Sequence, residues 1–173
     1  MPNVNIAEVL LERARRHPER VALIESRRGR AVTVTFAELD RRSARLAGRL
    51  KRAGLRPGDA ALVFVPMSVE LYVALVALFR LGAVAVFLDP SAGHVHVQRC
   101  LALAAPKAFI GTPRAHLLRW WAPPLRRIPK KFVTRGWVPG AARMGARWGR
   151  PLEAVAPLDA EAPALLTFTS GST

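Results

Sequence analysis

Ala60–Leu88 reads AALVFVPMSVELYVALVALFRLGAVAVFL, and its punctuation decides the fold. Ala60–Val65 is a short, continuously apolar run, as expected for a strand covered on both faces. Ser68 stands where a helix N-cap belongs and Gly82 where a helix stops, so a helix is predicted through Leu81. Ala83–Leu88 is a second buried strand, ending at Asp89-Pro90. Glu70 and Arg80 break the stretch, so its uncharged runs fall well short of the roughly 20 residues that a bilayer needs.

The pattern continues outward in both directions. Downstream, His94–Ala104 is predicted helical and Lys107–Ile110 gives a third short strand. Strand, helix, strand, helix, strand at this spacing implies parallel pairing through crossovers. Upstream, Asn5 can cap a helix to about His17, where Pro18 stops it. Val21–Glu25 and Ala31–Thr35 flank Arg27-Arg28-Gly29-Arg30 and read as a hairpin. Thr35-Phe36-Ala37-Glu38 is a capping-box pattern. The helix it opens puts Phe36, Leu39, Ser43, Leu46, Leu50 and Ala53 on one face, and Gly54 closes it. The expected architecture is α/β: a partial, doubly wound, mostly parallel sheet flanked by helices, preceded by a hairpin.

Order weakens from Thr112 to Pro163. Prolines punctuate this stretch, so residues 112–163 are expected to be a mostly irregular, poorly ordered basic segment with one or two short helices around Arg114–Trp121. Ala164–Phe168 then reads as a fourth buried strand, running straight into Thr169-Ser170-Gly171-Ser172-Thr173.

Charge is lopsided. Lys and Arg number 27 against 12 Asp and Glu, a net of +15, and a GC-rich coding bias toward Arg, Ala, Gly and Pro would produce much of that. Between Lys107 and Arg150 there are eleven Lys and Arg, no Asp or Glu, and all four tryptophans. Three readings stand: a solvated Arg-rich face, a surface that tracks phosphates and stacks on bases, or one that lies on anionic lipid. Weak, non-specific anion or membrane-surface binding is expected, and no specific nucleic-acid partner. The lone Cys100 can make no internal disulfide, and residues 1–11 lack the basic and apolar regions of a secretory signal, so a cytoplasmic location is expected.

The sharpest chemical signal is the tail after Ala164–Phe168. A strand delivering Ser, Thr and Gly presents backbone N–H groups and small hydroxyls to an anion, and Gly171 lets the backbone approach closely. Taken alone, the same five residues also read as a frayed terminus. Other clusters are weaker. His94, His96 and Cys100 offer metal-type ligands, but on a helix start they share no single face, and a solvated helix N-terminus is the plainer reading. Glu8 and Glu12 lie one turn apart, yet nearby Arg15, Arg16 and Arg20 suit surface pairing.

Leu165–Thr173 resembles the start of the signature phosphate loop of the adenylate-forming (AMP-binding) superfamily, which continues as Gly-x-Pro-Lys. Val34–Leu39, Gly54–Asp59 with the apolar strand after it, and Leu75–Leu88 resemble further elements of that family, in its order and spacing. Phe87–Gly93 and Ala105–Ala115 resemble its long-chain fatty-acid ligases, including olefin-pathway enzymes that make β-lactones. The resemblance implies an N-terminal fragment, residues 1–173, of an AMP-binding domain. It implies ATP and Mg²⁺ as cofactors, a carboxylic acid (a fatty acid) as substrate, and coenzyme A as acyl acceptor. Thr169, Ser170, Gly171, Ser172 and Thr173 would contact the phosphates. No catalytic residue and no metal ligand is carried over, and a chain ending there is expected to be inactive alone. A basic binding fragment or one half of a split ligase are the alternatives.

Overall fold

The computed structural model describes residues 5–89, 93–145 and 149–168. Helix α1 (Ile6–Arg16) starts at Asn5, whose side chain accepts from Ala7 N. The same Asn5 amide donates to the carbonyls of Phe79 (2.8 Å) and Ala156 (3.0 Å), which fastens the helix start to the body. Strands β1 (Val21–Arg27) and β2 (Arg30–Thr35) pair antiparallel. Their two-residue turn holds Arg28 at φ 53° and Gly29 at φ 75°, the positive angles that a tight hairpin of this twist requires.

Helix α2 (Phe36–Arg52) is capped by the Thr35 hydroxyl accepting from Glu38 N. It buries Leu39, Ser43, Leu46, Ala47 and Leu50, the expected stripe. Strand β3 (Ala60–Phe64) leads through Ser68, whose Oγ caps α3 (Val69–Leu81), to Gly82 at φ 75° and then β4 (Val84–Phe87). Helix α4 (His94–Ala104), β5 (Ala108–Gly111), α5 (Pro113–Trp121), α6 (Pro123–Arg127), β6 (Lys130–Val133), β7 (Ala142–Arg143) and β8 (Leu165–Thr167) follow. Each satisfied cap contributes about 1 kcal/mol to its helix.

Among the described residues the second sheet has six strands, all parallel, in the order β7-β6-β5-β3-β4-β8. Side-chain alternation splits its core in two. Ala61, Val63, Ala85 and Ile110 face α2 and α3, while Leu62, Val86 and Phe109 face α4 and the Leu125–Ile128 region. Phe64 and Phe109 meet edge to face, centroids 5.8 Å apart, a pair worth about 0.5–1.5 kcal/mol beyond area burial. Helices therefore cover both faces, as a doubly wound sheet demands.

Two expectations are corrected. The segment 112–163 was expected to be irregular beyond its short helices, but it also supplies β6 and β7. Lys130 and Lys131 open β6 at the rim while Phe132 and Val133 enter the core at 3% and 0% exposure, so the basic pair hid a strand. Strand β8, expected to be buried, is exposed at all three residues; among the described residues its only neighbour is β4.

One buried charge organises the return of the chain. Arg80 is 1% exposed; it pairs with Asp40 and donates to the carbonyls of Leu152 (3.1 Å) and Glu153 (2.9 Å). Its own carbonyl accepts from Ala156 N. A guanidinium serves here because it alone offers enough fixed donors to satisfy several acceptors at once. Among the described residues no helix is long and apolar enough to cross a membrane.

Candidate functional site

In an open parallel sheet, ligands bind beyond the carboxyl ends of strands where neighbouring connections leave toward opposite faces. Strands β3 and β5 are such neighbours: β3 exits into α3 on one face, and β5 exits into α5 and α6 on the other. A cavity of about 130 Å³ lies at this fork, walled by Pro66, Met67, Ser68, Thr112, Thr134 and Arg135.

The hairpin has already filled the charged positions beside it. Glu25 accepts from Val69 N (3.0 Å), the first amide of α3, so the chain's own carboxylate occupies that helix N-terminus. Arg27 donates to Glu25 (2.9 and 3.2 Å) and to both oxygens of Glu70 (3.0 and 3.1 Å). The Arg27 hydrogen bond and then the Val69 amide hold the Glu25 carboxyl below its usual range, and Glu25 in turn raises Arg27. The two carboxylates are matched there by Arg27 and by Arg135 in the cavity wall, so the fork's charges are already balanced within the chain. The pairing spans 43 residues of sequence, and its only local trace is Glu25 and Arg27 on one face of β1.

The other opening lies at β4 and β8. These pair in parallel, Ala85 with Leu165, Val86 with Leu166 and Phe87 with Thr167. Ala85 N donates to Ala164 O (3.0 Å) and Phe168 N to Phe87 O (3.3 Å). Parallel pairing brings the chain to the carboxyl end of the sheet at Phe168, which packs against the second core cluster. The sequence-derived site residues Thr169, Ser170, Gly171, Ser172 and Thr173 come next and lie outside the described residues.

The remaining candidates resolve differently. Cys100 is buried, with Sγ 3.3 Å from His96 Nε2, and among the described residues no group of three His, Cys, Asp or Glu could hold a metal ion. Glu12 pairs with Arg16 at 2.5 Å on the surface, an exposed ion pair of little energetic weight. Of the tryptophans, Trp120 and Trp137 are 81% and 76% exposed.

The profile of the family described as "AMP-binding enzyme" matches residues 10–173. The chain is 38% identical over 184 residues to an olefin beta-lactone synthetase of Stenotrophomonas maltophilia (strain K279a), across 98% of this chain and 33% of that protein. It is 32% identical over 181 residues to a salicyl-AMP ligase / salicyl-S-ArCP synthetase of Mycobacterium tuberculosis (strain ATCC 25618 / H37Rv), across 95% of this chain and 31% of that one. Among solved structures it is similar to O-succinylbenzoate coenzyme A synthetase from Bacillus subtilis in complex with AMP, with TM-score 0.72 and 26% identity over 95% of this chain and 39% of that one. The same enzyme in complex with ATP and magnesium ion matches with TM-score 0.55 and 32% identity over 61% of this chain and 28% of that one. The chain thus spans about a third of the length of these curated relatives.

Proposed function

The chain belongs to the AMP-binding enzyme family of adenylate-forming ligases, and from that membership we propose that it is the N-terminal part of an acid-activating ligase. In the reaction proposed, an acid's carboxylate oxygen attacks the α-phosphorus of ATP. The bond to pyrophosphate breaks, and an acyl-adenylate forms. A thiol then attacks the acyl carbon and AMP leaves with the electron pair. Adenylation matters because a carboxylate oxygen is a poor leaving group and a phosphate ester is a good one.

The observation that supports this reading is the parallel placement of β8 beside β4, which brings the chain as far as Phe168 to the carboxyl end of the sheet. In the proposal, Thr169, Ser170, Gly171, Ser172 and Thr173 donate backbone N–H and hydroxyl groups to the β- and γ-phosphates. Hydrogen-bond donors preorganised around developing charge are where such catalysis gains most. Magnesium would come with the nucleotide, held largely by phosphate oxygens, as that ion prefers. We propose a fatty acid as substrate and coenzyme A as acceptor. The names of the relatives show how the alternatives run: salicyl and an S-ArCP acceptor in one, O-succinylbenzoate and coenzyme A in another. On the same reading residues 1–173 are part of one longer AMP-binding domain, with 112–163 as its basic segment.

The proposal includes inactivity of these 173 residues by themselves. ATP–pyrophosphate exchange with a panel of carboxylic acids should stay at the blank; robust exchange would overturn that. Fused in frame to the remaining two thirds of the Stenotrophomonas relative, the chain should support exchange. Removing the hydroxyls in a Ser170→Ala/Ser172→Ala variant should then cost on the order of 10²-fold. A fusion that exchanges equally well with and without those hydroxyls would show that the loop has another role.

A further inference from the structure

Helix α5 is built inside out. It buries His116 at 2% exposure and presents Leu117 at 58% and Trp120 at 81%. Leu117 and Trp120 are three residues apart and share one outward face. The loop after β6 lies along the same helix. A side chain at Gly136 would come within 3.9 Å of Pro113, and Arg119 donates to Pro139 O (3.3 Å). Trp137, 76% exposed, sits between those two ties. Leu117 and Trp120, with Trp137 on the loop tied to the same helix, thus form an exposed apolar ridge; Arg114 is exposed on that helix and Arg143 on β7, the strand that the loop leads into. Large exposed apolar groups gathered in one place mark a binding surface rather than ordinary scatter.

We propose that this ridge is a peripheral docking surface for a bilayer rich in anionic lipid headgroups. Charge selects the partner: the segment 107–150 that carries the ridge has eleven basic and no acidic residues in its sequence, with Arg114 and Arg143 exposed. A second copy of the chain would bring the same arginines and be repelled. Nucleic acid could use the arginines and the indoles, but it has no use for an outward Leu117 beside Trp120. Indole rings settle at the headgroup level, leucine enters the acyl boundary, and arginine pairs with lipid phosphate, so a membrane interface uses every group present.

The test uses the 173-residue chain with vesicles of phosphatidylcholine alone and of phosphatidylcholine mixed equally with phosphatidylglycerol. Sedimentation with the anionic vesicles only is expected, together with quenching of tryptophan emission by brominated lipid. Trp120→Ala/Trp137→Ala should weaken partitioning by on the order of tenfold or more and abolish most of the quenching. Arg114→Gln/Arg143→Gln should weaken it by about fivefold for each charge removed. Arg15→Gln/Arg16→Gln, on the distant α1, should change binding little. No binding to anionic vesicles, equal binding by the tryptophan variant, or equal loss in the α1 variant would overturn the proposal. So would a single-stranded oligonucleotide that binds more tightly than the vesicles and depends on the same two tryptophans.

Discussion

His116 shows how one side chain can make the molecule sensitive to pH. Its Nε2 lies 3.0 Å from Phe132 O and its Nδ1 3.3 Å from Arg119 Nη1. A carbonyl needs a donor and a guanidinium offers only donors, so the ring must be neutral with its proton on Nε2. Phe109 packs against it, centroids 4.7 Å apart. Burial, opposed in part by the Phe132 carbonyl and aided by the charges of Arg119 and Lys131, pushes its pKa below the ordinary 6.5. The sign follows. Above 6.5 both folded and unfolded chains hold a neutral ring, and the full stability is present. As pH falls below 6.5 the unfolded chain takes up a proton that the folded chain refuses, so stability is lost until the folded ring itself protonates. The slope can reach about 1.4 kcal/mol per pH unit. Urea unfolding followed from pH 7.5 down to about 5, above the range where carboxylates titrate, should show this loss. His116→Gln should flatten it; an unchanged slope in that variant would assign the proton to another group.

At the scale of elements, the interior of α2 carries a glycine for a reason that lies about a hundred residues away. Leu152 N donates to Ala44 O (2.8 Å) and Arg52 donates to Arg150 O (2.9 Å), so the backbone at 150–152 lies directly across the helix. A Cβ on Gly48 would run into the Arg150 carbonyl and sit 3.1 Å from Leu152 N. In an exposed helix interior Gly→Ala stabilises by about 1 kcal/mol. Here Gly48→Ala should instead destabilise by about 1–3 kcal/mol, measured by chemical denaturation, because backbone cannot move aside as a flexible side chain can. Equal or greater stability of the variant would show that the crossing is loose. The contrast explains what was legible beforehand. Strands β3 and β4 announce themselves as short apolar runs, and helices α2 and α3 through apolar period, a capping hydroxyl and a closing glycine, all local signals. Strand β6 did not, because Pro129 and two lysines mask a core contribution made by Phe132 and Val133 alone. The Glu25–Arg27–Glu70 network and the Arg80–Asp40 pair join residues about 40 apart, and no local pattern encodes such meetings. The anion-binding role of 169–173 rests on residue type alone and stays a proposal, whereas the carboxylate-lined fork between β3 and β5 became visible only through the topology.

For the molecule as a whole, the open edge at β8 and the high positive charge pull in opposite directions. Leu165 and Leu166 alternate across the strand and are 47% and 38% exposed, so apolar surface shows on both faces of a strand that, among the described residues, is paired on one side alone. Such an edge is a template for pairing with another chain. A net charge of +15 holds copies apart at low ionic strength. Salt should decide between them, since the Debye length shrinks from about 30 Å at 0.01 M to about 8 Å at 0.15 M. Self-association, followed by sedimentation velocity across protein concentration, should therefore increase with added salt, whereas docking on an anionic bilayer should decrease. Leu166→Lys should suppress the association by placing a charge on the edge, with a small drop in thermal midpoint because the leucine it replaces is only 38% exposed. A chain that stays monomeric in high salt, or a lysine variant that associates as readily as the parent, would mean that the β8 edge is not where copies meet.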